Sequence, residues 1–249
     1  MRPAKEFERE LEMFRWEVDA GTQFFYAWLG LHATIGKNVK VRNLLDDAAL
    51  FWNTTLYALQ AQTFIALSRV FDQDKKSKHN IDKLLRMAQD NPHIFSKFEL
   101  GRRKRAASPK AWNDWLRNYL QNAYTPKPDD FRRLRAHVRK WRRIYESNYR
   151  PIRNSIYAHR SFSGHAEADA LWAKTNIREM QLLLRFLRQL HEALWELLFN
   201  GRKPVLRPQR YSATSIARRP SSVGRRQNYV QEHMMAEVEA FLLKCSGAA

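Results

Sequence analysis

Apolar side chains recur at helical spacing through three long stretches of this chain, and this periodicity restricts its fold more than any other feature. Residues 5–34 place them three or four positions apart with glutamates between, which predicts one amphipathic helix ending near Gly36. Residues 41–71 are apolar on more than one face, which predicts a second, central helix. Residues 167–199 carry leucines in near-heptad order, which predicts a third that packs in the core or against a second copy.

Shorter helices are predicted between and after these three. One runs from a cap at Asn80 to Gln89 and is closed by Pro92, and another covers 109–122 after a cap at Ser108. A longer one begins at Asp129 and Asp130 and should kink or restart at Pro151, and the last covers 229–243. Residues 101–105 are predicted to be a basic loop or a helix end.

The aromatic content agrees with helices rather than a turn-rich β architecture. The chain has 14 Phe, 9 Tyr and 8 Trp but only 8 Gly and 9 Pro. We therefore predict an all-α fold, with a helical domain over 1–200, a basic flexible linker over 201–228 and an amphipathic C-terminal helix over 229–249.

The positive charge is concentrated in the second half of the chain. The formal net charge is +19, yet residues 1–80 carry eleven basic and ten acidic residues. Residues 100–160 hold seventeen Lys or Arg against four acids, and residues 201–226 hold eight against none. Such blocks indicate a polyanionic partner, either a nucleic acid or an anionic membrane surface, although a solvated basic surface is the simpler explanation.

Membrane, disulfide and metal chemistry find little support in the sequence. No apolar run approaches the length of a membrane span, and the N-terminal residues lack the apolar stretch of a secretory signal, so we expect a cytoplasmic protein. Cys245 is the single cysteine, which excludes an intramolecular disulfide. The histidines show no metal-ligand spacing, and no glycine-rich phosphate loop is present, so we expect no metal and no cofactor.

The segment from Arg153 through Asn154 to His159 carries the clearest chemical signal. A guanidinium binds a phosphodiester and neutralises its developing charge, and an imidazole moves protons near neutral pH. On an ideal helix the six-residue spacing leaves Arg153 and His159 about 120° and about 9 Å apart. That separation fits better if His159 ends a helix or if two copies of the segment meet.

These residues resemble the signature of the HEPN superfamily (higher eukaryotes and prokaryotes nucleotide-binding domain). The string from Arg150 to Ser161 is similar to its abortive-infection branch, and residues 58–72 resemble an upstream helix of that branch. The resemblance covers about residues 5–200 and implies an antiparallel bundle of four to five long helices with shorter helical insertions and a C-terminal helical tail. It also implies a homodimer in which two signatures face one another across a cleft.

The resemblance implies a metal-independent endoribonuclease of toxin or antiphage-defence type. Arg153 would hold the scissile phosphate, His159 would be the general acid or base, and Asn154 would orient one of them. Attack by the ribose 2′-hydroxyl would leave a 2′,3′-cyclic phosphate and a 5′-hydroxyl. We expect Ser155 and Tyr157 to support the site. Further basic residues are expected to bind the RNA phosphates: Arg139, Arg142, Arg143, Arg150 and Arg160.

Other interpretations remain open. The chain is alternatively a catalytically inactive HEPN module that binds RNA or scaffolds a defence or toxin–antitoxin complex, with His159 only capping a helix. An antitoxin or a defence complex is a further expected partner. Some HEPN toxins are silenced by modification of a tyrosine two residues beyond the histidine, but that position is Ser161 here, which speaks against such control.

Overall fold

A computed structural model describes residues 3–74, 77–107, 113–158, 164–206 and 230–248, and within them it is helical with no β-strand. The all-α prediction is therefore confirmed. The helices are α1 Pro3–Lys37, α2 Val39–Asp47, α3 Ala49–Phe71, α4 Ile81–Asp90, α5 Lys97–Ala107, α6 Asn113–Asn122, α7 Pro128–Ile144, α8 Arg150–Ile152, α9 His165–Trp172, α10 Ile177–Asn200 and α11 Val230–Cys245. A short 3₁₀-helix covers Pro92–Phe95, and π-helices cover Tyr145–Tyr149 and Arg153–Ala158.

The chain divides into two compact units, and the first contains the signature segment. It comprises Met1–Val18 and Ser68–Arg207. Its aromatic core joins the start of α1 to α7, since Phe7 meets Phe95 edge-on at 5.4 Å and Phe95 lies 5.9 Å from Phe131. The leucines of α10 are buried in the same unit, as the heptad-like pattern predicts: Leu183, Leu187, Leu190, Leu194 and Leu197.

The second unit comprises Asp19–Leu67 and Pro208–Ala249. Its core buries Leu31 of α1, Val41 and Leu45 of α2, and Leu242 of α11. Gly30 permits a close approach here, because a Cβ at that position would lie 3.3 Å from Cγ1 of Val238. The predicted C-terminal helix is thus present and packed.

Two predicted long helices are each divided in the structure. The stretch 41–71 breaks at Ala48, whose ψ of 44° leaves the helical region. The stretch 167–199 breaks after α9, and Asn176 caps the start of α10 by accepting hydrogen bonds from the backbone N–H groups of Arg178 and Glu179. Hydrophobic periodicity continues across the first break, because Leu45 of α2 and Leu56 and Leu59 of α3 pack in the same core.

Other predicted boundaries agree with the structure. Asn80 caps α4 by accepting from the Lys83 N–H at 2.9 Å, and α7 begins at Pro128 with Asp130 accepting from the Lys127 N–H at 2.9 Å. Residues 101–105 are helical within α5 rather than a loop. Residues 108–112 and the greater part of the predicted linker, 207–229, lie outside the described residues. Among the helices that the structure describes, none is both long enough and apolar enough to cross a membrane.

Candidate active site

The signature segment lies in an unusual run of helix that follows α7 without a break. The π-helix Tyr145–Tyr149 widens the helix, and the Arg150 N–H donates to the Tyr145 carbonyl five residues back. Pro151 follows, and it has no N–H and disfavours a regular helical turn before it. A second π-helix, Arg153–Ala158, then carries the signature. Because π-helical turns are rare and occur frequently at functional sites, this geometry marks the segment as more than a connector.

Arg153 is half-buried and only partly satisfied. Its Nη1 donates to Oδ1 of Asn154 at 2.9 Å. Its Nε is buried and has no hydrogen-bond acceptor among the described residues. Nor does any described carboxylate form an ion pair with it. A guanidinium that keeps a buried donor without an acceptor is suited to receive an anionic ligand, because leaving such a donor unpaired is unfavourable.

Tyr145 joins the signature to the end of α3. Its ring stacks on Phe71 with 5.1 Å between centroids, and its phenol hydrogen-bonds with Ser68. Burial raises the pKa of the Tyr145 phenol to about 12, although the charges of Arg153 and Arg150 lower it in part. The end of α3 and the signature, the two stretches on which the family resemblance rests, therefore meet around this tyrosine.

The start of α10 fixes the other side of the segment. Tyr149 is buried and donates from its hydroxyl to the Asn176 carbonyl at 3.2 Å, and Asn148 donates from Nδ2 to Oε1 of Glu179 at 2.9 Å. Burial, followed by the hydrogen bond to Glu179, raises the pKa of the Tyr149 phenol. Arg153 thus projects from a stretch that is anchored to two neighbouring helices.

Comparison with models of protein families shows to which family the chain belongs. The family model of HEPN proteins described as AbiU2 matches residues 4–218, which is most of the chain. The chain belongs to the AbiU2 family. A comparison with curated proteins and one with solved structures found no match. The family match extends beyond the 5–200 stretch over which the sequence resemblance was recognised.

The remaining signature residues of this AbiU2 protein are half-buried or outside the described part. Asn154, Ser155 and Tyr157 are half-buried. The Tyr157 ring packs edge-on against Trp172 of α9, with 6.4 Å between centroids. His159 lies outside the described residues, so its distance from Arg153 stays a prediction.

The arginines predicted to bind RNA fall into two groups. Arg139, Arg143 and Arg150 are exposed, and Arg150 makes only a long ion pair with Glu146, at 3.9 Å. Arg142 differs, because its side chain is only 9% exposed and its Nη2 lies 2.7 Å from Oδ2 of Asp82. A buried guanidinium already paired with a carboxylate is poorly placed for phosphate, so we leave Arg142 out of the proposed RNA surface.

Arg160, the last predicted phosphate contact, lies outside the described residues. The described part of the chain contains no group of three histidine, cysteine, aspartate or glutamate residues arranged to hold a metal ion.

Sequence reasoning missed Tyr145 and Ser68 as parts of this site. Tyr145 lies eight residues before Arg153, and Ser68 lies on another helix. Neither forms a recognisable pattern with the signature. One sequence signal was available, since the run that contains Ser68 belongs to the stretch that resembles the family's upstream helix. That resemblance marked the stretch but not its contact with the signature.

Proposed function

We propose that this AbiU2-family protein is an endoribonuclease of toxin or antiphage-defence type that works without a metal ion. The observation that carries the proposal is that Arg153, in a π-helical turn within the family signature, has a buried Nε with no acceptor among the described residues. Membership of a HEPN family supports the same activity. RNA is the proposed substrate because exposed arginines precede the signature on α7 and its continuation.

In the proposed reaction the ribose 2′-oxygen attacks the adjacent phosphorus. A base, which we assign to His159, takes the 2′-hydroxyl proton as the new oxygen–phosphorus bond forms. The bond from phosphorus to the 5′-oxygen breaks, and that oxygen takes a proton from water. The products are a 2′,3′-cyclic phosphate and a 5′-hydroxyl. Arg153 binds the non-bridging phosphate oxygens and stabilises the charge that develops on them.

The proposed role of Asn154 follows from its hydrogen bond. Its Oδ1 accepts from Arg153 Nη1 and so restricts the direction of the guanidinium. This contact leaves Arg153 Nε available, which is the donor without an acceptor in the described residues. Asn154 is therefore proposed as a positioning residue for Arg153.

A homodimer is the proposed working form. The family resemblance implies two signatures that face one another across a cleft, and the separation expected between Arg153 and His159 within one ideal helix is easier to reconcile with such a composite site. The partner that restrains the activity in the cell, an antitoxin or a defence complex, is part of the same proposal.

A second candidate is an inactive HEPN module that binds RNA or scaffolds a defence complex. The hydrogen bond from Arg153 to Asn154 favours it, because it gives the arginine a local structural role that needs no substrate.

Cleavage by variants separates the two candidates. Purified parent protein, Arg153→Ala and Arg153→Lys are incubated with mixed transfer and messenger RNA in the presence of EDTA. We expect cleavage by the parent and at least a hundredfold loss in Arg153→Ala, with Arg153→Lys also impaired because an ammonium does not reproduce the guanidinium geometry. Equal cleavage by parent and Arg153→Ala would remove the catalytic role and favour the inactive module.

A further inference from the structure

A second candidate binding site lies at the opposite end of α10 from the signature. It is an open cavity of about 360 Å³ between α6 and the turn that follows α10. Its lining combines two aromatic rings, three side-chain amides and one arginine: Trp115, Tyr119, Asn118, Asn122, Asn200 and Arg202. The candidate active site does not use any of these residues.

The two sites are well separated within the first unit. The signature segment is tied to the start of α10 through Asn176 and Glu179, whereas Asn200 and Arg202 line the cavity at its end. A helix of 24 residues is about 36 Å long. The cavity is therefore not an extension of the candidate active site.

Trp115 forms an exposed aromatic surface on a fixed support. It is 47% exposed, and its ring stacks on Tyr119 with 5.1 Å between centroids and 26° between planes. Tyr119 is held in turn, because its hydroxyl donates to the Asn200 carbonyl at 2.9 Å and Lys104 Nζ lies 5.2 Å from its ring centroid. A large, exposed, pre-positioned indole is suited to stack a planar ligand.

A left-handed turn shapes the other wall. Gly201 has a φ of +57°, and a Cβ there would lie 2.6 Å from Leu100 Cδ2, so only glycine fits. The Gly201 carbonyl accepts from the Tyr124 N–H at 2.6 Å. This turn sets Asn200 and Arg202 on the rim of the cavity.

Amides at the cavity offer both donors and acceptors. Asn118 and Asn122 are exposed on α6 one turn apart. Asn122 Nδ2 donates to the Asn118 carbonyl, and Asn122 Oδ1 takes no part in that bond. Side-chain amides pair well with the edges of nucleobases, which present donors and acceptors side by side.

The arginine that lines the cavity is weakly engaged. Arg202 is 68% exposed and pairs with Glu196 at 3.3 Å. An exposed pair of this kind contributes little stability, so a phosphate can compete for this guanidinium group. The sequence that follows adds six more arginines and no acid through residue 226.

We propose that this cavity binds single-stranded RNA, with one base stacked on Trp115, amides at its edge, and a flanking phosphate on Arg202. The identification of the ligand as RNA rests on the proposed function. An RNA that occupied both sites would span on the order of ten nucleotides at about 3.4 Å each. The cavity then acts as an accessory site that holds substrate away from the point of cleavage.

The test compares Trp115→Ala with Trp16→Ala, a matched loss of an exposed tryptophan that is 56% exposed elsewhere in the first unit. Both changes are made in the Arg153→Ala background, so that RNA is bound without being cut. Affinity for a fluorescent 20-nucleotide oligouridine is measured by anisotropy. Circular dichroism verifies folding, and Trp115→Phe, which keeps a stacking ring, serves as the second variant.

We expect Trp115→Ala to weaken binding about tenfold, because stacking of a base on an aromatic ring contributes that much or more. Trp16→Ala should bind like its parent, and Trp115→Phe should retain most of the affinity. A 4-thiouridine in the oligonucleotide should crosslink to the peptide that contains Trp115. Unchanged RNA affinity in Trp115→Ala would overturn the proposal. So would a Trp115→Ala variant that binds RNA like its parent but binds a poly-glutamate peptide more weakly, because the cavity would then take an acidic peptide.

The outcome is separable from the fate of the nuclease proposal. If RNA is cut through Arg153 but binding is insensitive to Trp115, only the accessory site fails. If RNA binds through Trp115 but the parent does not cut it, only the nuclease fails. Absence of any RNA binding by the parent removes both.

Discussion

At the scale of single residues, Arg153 is distinguished by its place in the family signature, since Arg103, Arg135 and Arg142 also have a buried Nε without an acceptor among the described residues. Most arginines on α7 are exposed or paired, for instance Arg133, which contacts the buried Asp130. Arg153 is half-buried, hydrogen-bonds to the neutral Asn154 amide, and keeps its Nε without an acceptor among the described residues. The free energy that this burial costs is recovered when an anion binds, which is why a phosphate is the expected ligand.

His191 provides a test of the electrostatics in the first unit. Burial lowers the pKa of its imidazole to about 4, and the nearby charges of Arg15 and Arg188 lower it further. Because the pKa of His191 is lower in the folded chain than in the unfolded chain, its contribution to stability is complete above about pH 6.5. That contribution is lost as the pH falls through about 4.

We therefore expect the free energy of unfolding to decrease between pH 6.5 and pH 4, and to decrease less in His191→Gln. Urea denaturation across this range measures the difference. The same slope in both proteins would show that His191 does not titrate differently in the folded and unfolded states. His93→Gln is the control variant, because the His93 side chain is exposed.

Residue-level prediction from sequence reached the signature but not its surroundings. The spacing of Arg153 and His159 was visible in the chain, since both belong to one continuous segment. The contacts of Tyr145 with Phe71 and Ser68 join residues more than seventy positions apart, and no local pattern encodes such a pairing. The same holds for the burial of Arg142, which depends on Asp82 of another helix.

At the scale of helices, α7 and its π-helical continuation set the direction of the signature. Helical periodicity predicted α7 and a disturbance at Pro151, but a period of 3.6 residues does not distinguish a kink from two π-helical turns. The breaks at Ala48 and at 173–176 escaped prediction for a related reason. Neither break contains a glycine or proline, the residues that most often end a helix.

The pairing of α7 with α4 gives a prediction at this scale. Arg142→Ala removes a guanidinium that is 9% exposed and leaves Asp82 without its partner. We expect the free energy of unfolding to fall by about 2 kcal/mol, less than for a fully buried pair because Asp82 is 33% exposed. Chemical denaturation measures this loss.

Arg139→Ala is the matched control on the same helix. Its side chain is exposed, so its stability should change by less than about 0.5 kcal/mol. Its RNA affinity should fall instead, and more steeply at low salt, because a phosphate contact is lost. Equal loss of stability in the two variants would contradict the distinct placements of these arginines.

At the scale of the whole molecule, the positive charge lies in the parts of the sequence that the proposals assign to RNA binding. The blocks of positive charge at 100–160 and 201–226 contain the signature and border the α6–α10 cavity, whereas residues 1–80 are nearly neutral. The all-helical architecture and the family were both predictable from sequence, since long amphipathic periods and one short motif suffice for them. The division into two compact units was not, because α1 and α3 each run through a unit boundary.

Self-association is a prediction about the whole molecule. If two signatures form one site, light scattering should give twice the 29.6 kDa of the chain at concentrations where RNA is cut. A monomer that cuts RNA at the same rate per chain at every concentration would contradict the composite site.

The most direct test of the central claim is the chemistry of the cut ends. Parent protein and His159→Ala are each incubated with a defined RNA in EDTA, and the products are analysed by mass spectrometry. The account predicts 2′,3′-cyclic phosphate and 5′-hydroxyl ends from the parent, formed at least about a hundredfold more slowly by His159→Ala. Cleavage at the same rate by both proteins, or ends bearing a 5′-phosphate, would contradict it.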